Sequence, residues 1–172
     1  MMINLRPVEE DDLPFLRRLT NDPEGSGEFQ WYGWNNPHRL RQRWEETGML
    51  SDDGGVLIIS ADGEPAGFVS WRKQIANLAS HYWEIGLIVA PEFRGKGYGT
   101  EAQRRLVRYL FEHTTANRIQ ASTEIENIAE QRALEKAGFT REGVLRGCGF
   151  RAGAWRDGVL YSVIRSDLPR LV

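Results

Sequence analysis

With 172 residues, 41% of them hydrophobic and 27% charged, the chain is long enough for one domain with a real core and has an ordinary soluble make-up. Its 22 basic and 24 acidic residues leave a formal net charge of −2, which argues against a dedicated nucleic-acid partner but allows a local basic pocket. Cys148 is the single cysteine, so no internal disulfide can form. The apolar run near Leu87–Ala90 is too short to cross a bilayer, and Met1–Arg6 has no signal-peptide core, so a cytoplasmic protein without a membrane partner is expected.

In chain order, Asn4–Arg6 reads as a short strand before Pro7. An acidic N-cap region at Glu9–Asp12 then opens a helix whose apolar face is Phe15, Leu16 and Leu19. That helix should end near Asp22-Pro23. Glu24–Asn36, rich in glycine and aromatics, reads as an exposed, shaped loop, and a second helix runs from Pro37 to about Thr47. A turn at Asp52–Gly55 precedes the strand Val56–Ile59. Ala61–Glu64 is a hairpin turn and Gly67–Trp71 the returning strand. His81–Val89 is a longer strand. A helix from Gly99 or Thr100 follows, with Ala102, Leu106 and Leu110 at i, i+4 and i+8. Ile119–Ile125 is a strand and Ala129–Ala137 a helix closed by Gly138. Gly143–Arg146 and Val159–Arg165 are two last strands joined by a turn at Gly153–Gly158. The order β-α-α-β-β-β-α-β-α-β-β predicts one mixed α+β domain over residues 1–172, with antiparallel strands early and βαβ-like units later.

The run Arg94-Gly95-Lys96-Gly97-Tyr98-Gly99-Thr100 lies where a strand gives way to a helix. Glycines let backbone N–H groups converge, and the helix N-terminus adds partial positive charge, so the segment suits a pyrophosphate. Arg94 and Lys96 add formal charge at its mouth. A P-loop is excluded because Lys96 is followed by Gly97 rather than Ser or Thr. Gly97–Ala102 does fit Gly-x-Gly-x-x-Gly/Ala, with Glu124 one βαβ unit later. Against a dinucleotide fold, Pro91–Lys96 intervene between strand and first glycine, and too little chain follows for a second half. A ligand-free turn would need one glycine rather than three.

This run resembles the Gln/Arg-x-x-Gly-x-Gly/Ala acyl-CoA motif of the GNAT N-acetyltransferase superfamily. Trp83–Val89 resembles the family's preceding strand, and Glu126–Phe139 its Asn-x-x-Ser…Glu-Lys-x-Gly-Phe helix. Thr140–Arg146, Trp155–Tyr161 and the opening Leu5-Arg6-Pro7…Asp12-Leu13 are similar to the RimJ/RimL-like branch. The resemblance implies the GNAT fold, a central twisted, mostly antiparallel mixed sheet flanked by helices. It implies transfer of acetyl from acetyl-CoA to a primary amine of a small molecule or protein N-terminus, by direct attack in a ternary complex and without a metal. A non-catalytic acyl-CoA sensor is the rival reading.

Residue by residue, the resemblance makes Arg94, Gly95, Lys96, Gly97, Tyr98, Gly99 and Thr100 the pyrophosphate loop, and Ile88 or Val89 the backbone donor to the tetrahedral oxyanion. Asn127 would contact the pantetheine or cap its helix, or do both. Glu84 is the candidate base, or else a strand carboxylate paired with an arginine; a one-residue slip would turn it to the other face. Glu130 replaces the family's serine and is either an acid or base near the sulfur or a first-turn acid favoured by the helix dipole. Tyr98 reads as a packing residue. Tyr82 and Tyr161 are weak proton-donor candidates, Tyr161 at a core strand position. Glu28, Phe29, Trp31, Tyr32 and Trp34 would line the acceptor site, Glu28 holding a cationic amine. Exposed tryptophans would also admit a homodimer. His81 and His113 have no partner spacing for a metal, and Cys148 has no adjacent histidine to activate it.

Overall fold

The computed structural model describes residues 2–170. Strands β1 (Ile3–Pro7), β2 (Leu50–Ser51), β3 (Gly54–Ala61), β4 (Glu64–Asn77), β5 (Ser80–Val89), β6 (Arg118–Glu124), β7 (Thr140–Arg151) and β8 (Ala154–Ile164) form one sheet. Its order is β1-β3-β4-β5-β6-β8-β7, with β2 paired onto β3. Helices α1 (Leu13–Asn21), α2 (Pro23–Ser26), α3 (Arg39–Thr47), α4 (Tyr98–His113) and α5 (Ile128–Lys136) flank it. All neighbours are antiparallel except β5 and β6, which run parallel. This is the mixed α+β architecture that the element order predicts and the mostly antiparallel sheet that the family resemblance implies; only β5-α4-β6 makes a parallel neighbour pair of the βαβ kind.

Cores lie on both faces of the sheet at β3 and β4, β3 is buried along its whole length, and β7 at the far edge is exposed along most of its own. Its apolar run divides by strand alternation. Leu57 and Ile59 join Leu106, Val107 and Leu110 of α4 in the larger core, while Val56 and Ile58 join Leu13 and Leu16 of α1 in the smaller one. The stripe Ala102, Leu106, Leu110 is fully buried, as its spacing requires. Asp62 and Gly63, both at positive φ, make the two-residue hairpin between β3 and β4.

Several boundaries differ from expectation. The presumed loop from Glu24 begins with α2, whose Asp22 cap accepts from the backbone N–H groups of Glu24 and Gly25. Only glycine fits at position 25, since a Cβ there would sit 2.0 Å from the Arg18 carbonyl oxygen. The turn expected at Gly153–Gly158 is only the pair Ala152-Gly153, both at positive φ, so Ala154–Gly158 continue strand β8. Strand β7 runs well past Arg146, because register shifts at Arg141/Gly143 and Leu145/Gly149 absorb residues that break a simple alternation.

Candidate active site

The site originates in a short ladder. β5 and β6 pair only at Trp83–Ile119 and Glu84–Gln120; beyond that point no pairing joins them, and a cleft opens on each side of the sheet. Alternation then decides which residue faces which cleft. Trp83 and Ile85 are buried with α4, so Glu84 and Gly86 face the opposite side, toward the segment after α2. The Ala90 N–H donates to the Ala66 carbonyl of β4 at 2.9 Å. Successive residues turn to opposite edges, so Ile88 points its N–H into the β4 ladder and Val89 points its N–H toward the parted edge.

On the helical side lies a cleft of about 640 Å³, bounded by the glycine loop, the end of β5 and the start of α5. A 3-10 turn, Pro91–Phe93, offsets the loop from the strand. Gly95 and Gly97 take φ of +73° and +81°, and a Cβ built on either would meet nothing within 4 Å, leaving an open cradle. Helix α4 then starts at Tyr98 with no side chain capping it. Its first intrahelical bond is Glu101 N–H to Gly97 at 3.2 Å, so the earlier N–H groups are open to a ligand at the positive end of a 16-residue helix.

The basic residues of the loop are engaged elsewhere. Arg94 donates through Nε to the Val89 carbonyl at 2.9 Å and through Nη2 to that of Gly25 at 3.0 Å, clamping the loop to β5 and α2. Lys96 folds back onto the Glu92 carbonyl, 3.0 Å away, over the Phe93 ring. Tyr98 is buried against Phe93. The cradle's polarity toward an anion therefore comes from backbone rather than from free cationic side chains.

Asn127 caps α5: its side chain accepts from Glu130 N–H at 3.3 Å and donates to Thr123 Oγ1 at 3.0 Å. The helix closes at Gly138, φ +98°, with Phe139 N–H reaching back to Leu134. Glu130 lines the helical-side cleft, and burial of its carboxyl pushes its pKa up to about 7, opposed by a hydrogen bond from Gln103. Gln103 escaped the sequence reading. Its signal was one amide inside the apolar stripe of α4, where it is almost wholly buried.

The opposite cleft, about 570 Å³, is lined by Gln30, Tyr32, Arg43, Asp53, Arg72 and Glu84 among others. Glu84 Oε2 accepts from Arg72 and from Gln74, each at 3.0 Å, leaving Oε1 free of any partner among the described residues. Gln30 borders both clefts. The aromatic segment is divided by the fold: Tyr32 faces this cleft, Glu28 and Phe29 border the helical-side one, and Trp31 and Trp34 stack edge-to-face on each other, Trp34 largely exposed. Arg151 lies over the Phe29 ring and forms a two-pronged ion pair with Glu124. Tyr161 is fully buried and donates to Glu135 at 3.0 Å. A larger groove, on the outer face of α4 beside Arg105, Arg108 and Glu112, contains neither Glu84 nor Glu130.

Residues 3–140 match the family model of the acetyltransferase (GNAT) domain. A relative from Bacillus subtilis, the uncharacterized N-acetyltransferase YnaD, is 32% identical over 51% of this chain and 51% of its own length. The spermidine N(1)-acetyltransferase of Escherichia coli is 26% identical over 91% of this chain and 83% of its own. The chain spans about half the length of the first curated relatives it matches. Among solved structures, a spermidine N-acetyltransferase from Vibrio cholerae, in complex with CoA and spermine, superposes with a TM-score of 0.83 at 22% identity. That superposition covers 96% of either chain.

Proposed function

The chain belongs to the GNAT acetyltransferase domain family, and from that membership we propose that it transfers acetyl from acetyl-CoA to a primary amine by direct attack in a ternary complex. The observation that carries the reading is the uncapped N-terminus of α4 behind two glycines at positive φ, opening onto the cleft where β5 and β6 part. The backbone cradle from Gly95 to Thr100 would hold the pyrophosphate, with Arg94 fixing the loop's shape. The Val89 N–H would receive the developing oxyanion.

Acetyl-CoA supplies an activated thioester, and the incoming amine must be neutral to attack it. A lysine-type amine, with a reference pKa of ~10.4, needs more help than an α-amino group at ~7.7–8.0. Glu84, on the acceptor side with Oε1 unengaged, would take the amine's proton directly or through water. The C–N bond forms, the C–S bond breaks, and the thiolate leaves. Glu130, on the helical side with its pKa near 7, would return a proton to the sulfur. A cytoplasmic location goes with this reading. Self-association goes with it too, since β7 is an outer strand exposing Val144, Leu145 and Phe150.

Incubation with acetyl-CoA and a panel of amines tests the proposal through thiol release. Turnover on any amine supports it. Tight CoA binding with no turnover on any acceptor would favour the sensor reading.

A further inference from the structure

The relatives named for spermidine make a polyamine the reference acceptor. The charges of the acceptor-side cleft argue otherwise. A flexible chain with several ammonium groups needs carboxylates that are not already matched by protein cations. Here the two carboxylates that line the cleft, Asp53 and Glu84, each already have a cationic neighbour on one oxygen. Glu84 is held by Arg72 and Gln74, Asp53 by Lys73 at 3.0 Å, and Glu124 by Arg151. Glu28 borders the other cleft.

The lining itself carries two arginines and two carboxylates; with Lys73 on Asp53 and Arg72 on Glu84, the charge left without an opposite partner among the described residues is the Arg43 guanidinium. Arg43, on the exposed face of α3, points into this cleft, and no carboxylate of the described residues lies within ion-pair distance of it. Arg72 has further donors beyond the one Nη2 bond to Glu84, and most of its side chain is exposed. Guanidinium groups bind planar oxyanions through paired N–H donors. The same cleft thus offers one receptor of each sign, Glu84 Oε1 for an ammonium and Arg43 for an anion.

Resting on the acetyl-transfer reading, we infer that the acceptor is a zwitterionic amine, one primary amine joined to a carboxylate as in an amino acid, with the carboxylate held by Arg43. The amine then sits at Glu84, beside the parted edge of β5, and the acid group anchors the far end. Discrimination against polyamines follows from the guanidinium, which would be left facing a second ammonium group.

The test is calorimetry on the full chain saturated with CoA, titrated with matched pairs: phenylalanine against phenethylamine, leucine against isoamylamine, and spermidine alone. The carboxylated member of each pair is expected to bind about tenfold more tightly, and Arg43→Ala should erase that ratio while Arg43→Lys keeps part of it. Arg43→Ala places a better helix former on an exposed helical face, so the variant should fold. Equal or tighter binding of the decarboxylated amines or of spermidine overturns the inference, as does an unchanged ratio in Arg43→Ala or no binding of any carboxylated amine. Thiol release from acetyl-CoA, followed in parallel, separates the two readings. Turnover on spermidine without a carboxylate preference sinks this inference and leaves acetyl transfer standing. A carboxylate preference without thiol release does the reverse.

Discussion

Gln103 Nε2 lies 2.5 Å from Glu130 Oε1, while the other terminus of the amide, Gln103 Oε1, is buried without a partner. An amide carries a donor at one end and an acceptor at the other, so it can pair with a carboxyl in either protonation state. Turned over, the amide presents Oε1 to a protonated carboxyl; as placed, it presents Nε2 to a carboxylate. One residue can therefore serve both protonation states of Glu130, as a group that gives up a proton and regains it requires.

The first prediction concerns pH and stability. Burial raises the Glu130 pKa from 4.5 to about 7, so between these values the native state binds the proton more tightly than the unfolded chain. Stability from this group is complete below about pH 4.5 and is lost as pH rises to about 7, by about 3 kcal/mol. Glu130→Gln cannot ionise. It should match the wild type at pH 5 and exceed it at pH 8 by roughly 6–10 °C in melting temperature. Glu142 has the opposite sign. Arg118 and Ser162 hold its pKa down to about 2, so its contribution exists above about pH 4.5 and fades as pH falls through 2. Equal melting curves for wild type and Glu130→Gln at pH 8 would remove the buried-acid assignment.

The same variant should lower kcat on the order of 10²-fold with little change in CoA affinity, and should lose the limb of the pH–rate profile near pH 7. Retention of that limb would assign it to another group.

Glu84→Gln is expected to lower kcat by a similar factor of about 10² at neutral pH, and less at alkaline pH, where amines are already neutral. Arg72 and Gln74 can still bond the amide oxygen, so structural loss should be small. A uniform loss across pH would reassign Glu84 to positioning.

Gly97→Val should weaken CoA binding about 100-fold, close to 3 kcal/mol, without unfolding the chain. The new side chain meets no protein atom within 4 Å of its Cβ and projects into the cradle, and φ of +81° costs a β-branched residue about 1–3 kcal/mol of strain, less than a domain of this size needs to unfold. Calorimetry with CoA reads the first effect and a melting curve the second; unchanged affinity would move the pyrophosphate elsewhere.

Arg151→Ala should lower the melting temperature more than Glu124→Gln, because it strands a largely buried carboxylate and also removes the guanidinium that lies over Phe29. The double variant should recover part of the loss. Simple additivity would show that the pair contributes no coupling.

Much of the fold was legible because local physics dictates it. The Ala102–Leu106–Leu110 spacing can bury only one helical face, and Asp62-Gly63 can close a hairpin at positive φ in both positions. Gly138 ends α5 for the same conformational reason. Boundaries failed where long-range pairing overrode local pattern. β4 runs to Asn77 because β5 pairs with it that far, and β7 crosses glycines because β8 supplies its ladder. The site was less legible. Arg94 reads as a free cation in sequence, yet it finds the Gly25 carbonyl 69 residues away. Gln103 and Glu130 lie on two helices and reveal nothing of each other until α4 and α5 pack.

The amino-acid sequence by itself determined the glycine cradle and the helix start behind it, because backbone conformation at Gly95 and Gly97 is a local property. It also determined the alternation that separates Glu84 from Trp83 and Ile85. The tertiary structure alone decided where the β5–β6 ladder ends, hence that there is a cleft at all and that it has two sides. It alone decided that the Glu130 carboxyl is partly buried at the edge of a cleft and that Arg43 and Glu84 line a common space. Burial and charge pairing depend on groups distant in sequence, and only the packed chain brings them into range.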